Sequence, residues 1–151
     1  MLILLPTLSV LGHQTVCTRM KVDGGSMLPT FTPGERFTTW HLTYRLRLPK
    51  RGEVIVLKRV IGLPGDEIYL AEGVVYVNGV AIPKTVDRET LDGVTWRTLE
   101  SEQTPEDWPA DGVPHIVPEG MLFVLGDHRD QSIDSRVFGD VLLDFVTGWV
   151  K

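Results

Sequence analysis

The chain has 151 residues, 42% apolar and 23% charged, the proportions of one folded domain long enough to bury a core. Twenty acidic residues outweigh 15 basic ones, a net charge of −5, which argues against a nucleic-acid surface, where a basic excess is expected. The single cysteine, Cys17, excludes an internal disulfide and leaves the redox compartment open.

In chain order, the first segment is "MLILLPTLSVLG", apolar but only 12 residues long and carrying Pro6. A bilayer span needs about 20 apolar residues, and a secretory signal wants a basic start that is not present here. It reads either as an interfacial or buried strand, or as the trailing end of a membrane anchor. Residues 1–20 are therefore set apart from the main domain at 21–151. Next come short β-branched runs punctuated by Gly and Pro: "EVIVLKRVIG", "DEIYL", "GVVYVNGV", "GMLFVLG" and "VLLDFVTGWV". They predict a mostly β fold of antiparallel sheets, a sandwich or partly closed barrel. Asn78-Gly79 between two apolar stretches predicts a tight hairpin. Residues 84–118, rich in Thr, Glu, Asp and Pro, read as a long excursion or insertion without strand character.

Three stretches carry chemistry. In "KVDGGSMLPTF" (21–31), Gly24 and Gly25 let the backbone approach a ligand beside Ser26, and Pro29 fixes the exit of the loop. A serine hydroxyl is an ordinary group until a base takes its proton. His13, His41, His115 and His128 all lie in contexts that do not pair them with Ser26. The hydrolase elbow pattern fails as well, because Leu28 stands where it needs glycine. A zinc site is weaker still, with scattered histidines and one cysteine. Lysine is the better base. If residues 54–61 form one strand, Lys58 shares a face with Val54, Val56 and Val60, and Arg59 sides with Ile55, Leu57 and Ile61. Burial can lower a lysine pKa by several units, and Ser-Lys pairs are a known form of nucleophilic catalysis. The plain alternative is a strand lysine that snorkels to water.

The third stretch, "GDHRDQSIDSR" (126–136), gathers three aspartates, two arginines and two serines after the strand "MLFVL". Such density suits a paired, hydrogen-bonded loop. Ser132 is placed to orient the lysine amine, and Asp134 with Arg136 to hold the loop still. A structural turn with exposed ion pairs would explain any one member equally well.

Taken together and in this order, the stretches resemble the bacterial type I signal peptidases. "GGSMLPT" is similar to their nucleophile box, "KRVIGLPGD" (58–66) to their lysine box, "VVYVNG" (74–79) to a strand and turn, and "GDHRDQSIDSR" to their last box. The resemblance implies a membrane-associated β-rich endopeptidase, its catalytic domain outside the cytoplasm, that cuts preproteins behind small residues. It implies Ser26 as nucleophile, Lys58 as general base, Ser132 as the serine that orients the lysine, and Asp134 and Arg136 as the supporting pair. It places Val22, Met27, Phe31 and Leu57 around an apolar substrate pocket, and it implies no cofactor, no metal and no nucleic-acid partner. The chain departs from the pattern in three places. Gly24 stands where some members have a serine that helps the oxyanion hole, and His128 replaces an asparagine. The stretch between Glu53 and Lys58 is also shorter than the strand-loop-strand often found there. Two other readings remain: a self-cleaving repressor-type or conjugation-type Ser-Lys peptidase, and a β-rich peptide-binding module without turnover.

Overall fold

The computed structural model describes residues 17–40, 44, 47–55, 57–100, 107–110, 112–146 and 148–150. The expectations for the first apolar segment, His13 and His41 fall outside them.

A seven-stranded antiparallel sheet forms the platform. It contains β1 (Cys17–Lys21), β2 (Arg36–Trp40), β3 (Val54–Ile55), β4 (Lys58–Gly62), β12 (Met121–Leu125), β13 (Val141–Leu142) and β14 (Trp149–Val150). Their order across the sheet is β1-β2-β14-β3-β4-β12-β13. A second sheet is built from β5 (Glu67–Ala71), β6 (Val74–Val77), β7 (Val80–Ala81) and β11 (His115–Ile116), in the order β11-β5-β6-β7. The mostly β expectation holds, as separate sheets in linear order rather than a closed barrel. Asn78-Gly79 makes the expected turn, both residues at positive φ (53° and 74°), the geometry that joins strands at their natural twist.

Two strand expectations are corrected. Residues 54–61 are not one strand: the chain reverses between β3 and β4, with Leu57 at φ 57° and Ile55 opposite Lys58. Directly opposed residues share a face, so the neighbours of Lys58 are Ile55 and Val60, while Arg59 pairs with Val54. Second, residues 84–118 are not strandless. They hold a small antiparallel sheet of β8 (Lys84–Thr85), β9 (Arg88–Leu91) and β10 (Val94–Arg97), followed by β11.

The central strands are covered on both faces, which explains why "MLFVL" is an unbroken apolar run instead of an alternating one. Phe123 and Leu125 of β12 join Ile61, Ile68, Leu70, Val75 and Trp96 in the core beneath the second sheet. Leu122 and Val124 pack on the opposite face with Ile55, Val60 and Val146. Lys58 therefore opens onto one core face and Arg59 onto the other.

Candidate active site

Ser26 follows a turn in which Gly24 sits at φ 81°, a conformation that favours glycine. The loop is then tied back by Leu28 N–H to Gly25 and Phe31 N–H to Met27. Its carbonyl accepts from the His128 N–H at 3.0 Å, so the last motif clamps the serine from behind. The turn between β3 and β4 delivers Lys58 to the other side. Its Nζ lies 3.0 Å from Ser26 Oγ and 3.1 Å from the Leu57 carbonyl oxygen. Burial holds the Lys58 pKa below its ordinary 10.5, against an upward pull from the carboxylates of Asp134 and Asp127. Once neutral, the same nitrogen accepts the serine proton instead of donating.

The two remaining motif expectations part company. Asp134 is fully buried: one carboxylate oxygen accepts from the Gly126 N–H at 3.0 Å, and both receive Arg136, through Nε and Nη2, each at 2.8 Å. It also caps the short helix α1 (Ser135–Phe138) through the Arg136 N–H. Arg136 reaches on to the Arg129 carbonyl at 2.6 Å. Ser132 lies against Gly126 but does not bond to the lysine; its buried Oγ has no hydrogen-bond partner among the described residues. Gly126 is what lets the segments meet. A Cβ there would overlap the Ser132 side chain and come 2.6 Å from the Ser26 carbonyl oxygen.

Val22, Met27, Phe31 and Leu57 fall into one cluster with Phe37, Val54 and Val150. Val22 and Met27 are buried, and Phe31 and Leu57 are its half-buried members. On the Lys58 side, a cavity of about 230 Å³ is lined by Ile55, Lys58, Val124, Phe138, Val141 and Phe145. Of the histidines, His115 pairs with Asp140 at 2.8 Å, and His128 acts on Ser26 through its backbone. Among the described residues no cluster of His, Cys, Asp and Glu has the grouping a metal ion needs.

Sequence reasoning missed the ionic floor beneath the pair. Arg59, 5% exposed, holds Asp127 through Nε (2.7 Å) and Nη2 (2.5 Å) and donates to the Gly52 carbonyl at 2.6 Å. Thr30 donates to the same Asp127. Two residues after Asp127, Arg129 donates to the Gly126 carbonyl at 3.1 Å and to both oxygens of Glu89 from β9. The small excursion sheet is thus bolted to the site loop. An arginine on an apolar strand was itself the signal that a buried carboxylate had to exist. Glu89 carried no comparable signal.

The family described as "Signal peptidase, peptidase S26" matches residues 1–151. The chain belongs to that family. It is 37% identical over 140 residues to signal peptidase I of Bacillus caldolyticus, covering 85% of this chain and 74% of that protein. It is 33% identical to signal peptidase I of Bacillus licheniformis over 76% of this chain and 63% of the relative. It is also similar to the crystal structure of a signal peptidase I from Enterococcus faecalis V583, with 31% identity, coverage of 70% and 98%, and a TM-score of 0.47. Family membership makes the chain a serine endopeptidase, a hydrolase of peptide bonds. The self-cleaving repressor and the turnover-free module gain no support from these similarities.

Proposed function

We propose that this chain removes N-terminal signal peptides from exported preproteins with Ser26 as nucleophile and Lys58 as general base. The observation that carries the reading is the 3.0 Å contact between a half-buried amine and the serine hydroxyl. Neutral Lys58 takes the Ser26 proton as Oγ attacks the scissile carbonyl, and the Ser26 N–H faces the developing oxyanion. The ammonium then protonates the leaving amine as the acyl-enzyme forms. A water deprotonated by the same nitrogen releases the cleaved signal peptide. Asp134 and Arg136 keep the last motif in place behind the pair, and Ser132, packed against Gly126 in that motif, is the hydroxyl assigned to steering the amine.

The apolar cluster of Val22, Met27, Phe31 and Leu57 supports a pocket for alanine-sized side chains next to the cut. The exposed apolar residues Ile133, Val137, Phe138, Leu142 and Phe145 support contact with a lipid surface. Working on the outer side of the bacterial cytoplasmic membrane follows from that substrate class. Among the described residues no helix is long and apolar enough to cross a membrane.

The test is cleavage of a synthetic signal-peptide substrate against pH. Wild type is expected to gain activity as pH rises through the lowered Lys58 pKa, and Ser26→Ala and Lys58→Ala to lose at least about 1,000-fold. Full-rate cleavage by either variant overturns the assignment.

A further inference from the structure

Lys58 and Arg59 are consecutive on β4 and face opposite ways. Lys58 lines the apolar cavity; Arg59 lines an open groove of about 390 Å³ together with Pro29, Thr30, Arg88, Trp96 and Arg97. The loop 26–31 connects the two, since Ser26 meets Lys58 at one end and Thr30 meets Arg59 and Asp127 at the other. Ser26 and Thr30 are four residues apart on this folded loop, so an extended peptide leaving Ser26 spans the distance to Thr30 in at most about four residues.

The groove is built for an acceptor. Arg59 is committed to Asp127 and lies over the Trp96 ring at 4.7 Å, so it supplies a wall rather than a free charge. Arg88 and Arg97 are different, with side chains 59% and 56% exposed. Among the described residues, the carboxylate paired with them is Asp87, 3.2 Å from Arg97 Nε and 3.8 Å from Arg88 Nε. One carboxylate between two guanidinium groups leaves a positive charge over. Trp96 is 5% exposed, and its indole N–H has no hydrogen-bond partner among the described residues.

We propose that this groove receives the substrate segment just downstream of the cut and favours acidic side chains there, read by Arg88 and Arg97. The proposal rests on the Ser26–Lys58 peptidase reading and adds a specificity that reading does not contain. The apolar cavity suits the hydrophobic side of a signal peptide, and the basic groove suits the polar segment that follows it.

The experiment uses three synthetic substrates, identical up to the cut, with Asp-Glu, Ser-Gly or Lys-Lys at the third and fourth residues after it. Exposed ion pairs of this kind are each worth a factor of about 1.5 to 5. Wild type should therefore prefer the acidic over the lysine substrate by about three- to tenfold in kcat/KM at low salt. That ratio should shrink at about 0.5 M salt. Arg88→Glu/Arg97→Glu should invert it, and Arg88→Gln/Arg97→Gln, which removes the charge without reversing it and serves if the reversal unfolds, should bring it towards one. The same ratio in wild type and both variants overturns the groove assignment. So does a reversal that weakens binding to phosphatidylglycerol vesicles while leaving the peptide ratio intact, since the occupant is then lipid. Failure of wild type to cut even the Ser-Gly substrate counts instead against the peptidase reading.

Discussion

Gly126→Ala separates tight packing from generic stability at the site. An added Cβ lies 2.6 Å from the Ser26 carbonyl oxygen, where ordinary contact begins at 3.4 Å. The shortfall is about 0.8 Å, and the Ser132 side chain blocks retreat in the other direction. Moving the Ser26 backbone by that amount stretches a 3.0 Å hydroxyl–amine contact beyond hydrogen-bonding range. A misplacement of about 1 Å costs on the order of 100-fold in rate, and overpacking a core costs about 1–3 kcal/mol. Peptide cleavage and thermal unfolding are measured side by side. The single variant should lose about 100-fold in kcat along with some stability. Gly126→Ala/Ser132→Gly, which removes one of the two overlaps, should recover stability and leave kcat low. A Gly126→Ala enzyme cutting at the wild-type rate would mean that this glycine does not set the position of Ser26.

Two further outcomes follow from the buried charges. Asp127→Asn strands the Arg59 guanidinium, so urea unfolding should show a loss of about 3–5 kcal/mol, with Arg59→Met/Asp127→Asn recovering most of it; a loss below about 1 kcal/mol contradicts the pairing. Lys58→Met should be inactive yet more stable than wild type at neutral pH. Burial lowers the folded-state lysine pKa below 10.5, so the unfolded chain binds more protons, and wild-type stability climbs with pH through the window ending near 10.5. The advantage of the methionine variant should therefore shrink towards that pH, and an advantage that grows there contradicts a depressed pKa.

The Ser26–Lys58 contact and the Asp134–Arg136 pair were legible because each residue sits in a short motif whose chemistry is local. Fold class was legible in the β-branched runs. The reversal at Leu57 was not, since no Gly, Pro, Asn or Asp marks it. Apolar burial on both sides of β3 and β4 imposes a left-handed leucine that turn chemistry would not choose. The excursion sheet was hidden differently. Asp92-Gly93 has the same positive-φ geometry (50° and 79°) as Asn78-Gly79, but its flanking strands are polar, so periodicity gave no warning. Glu89 was invisible because its partner lies 40 residues further on and nothing near either residue announces the other.

The clamp between Glu89 and Arg129 has a consequence for how the chain matures. Hydroxyl and amine come from segments 32 residues apart, and the loop backing them waits on β9 and β12. A nascent or half-collapsed molecule carries every reactive group and none of the geometry. Latency is thus intrinsic: hydroxyl and amine meet only once segments far apart in the chain have come together.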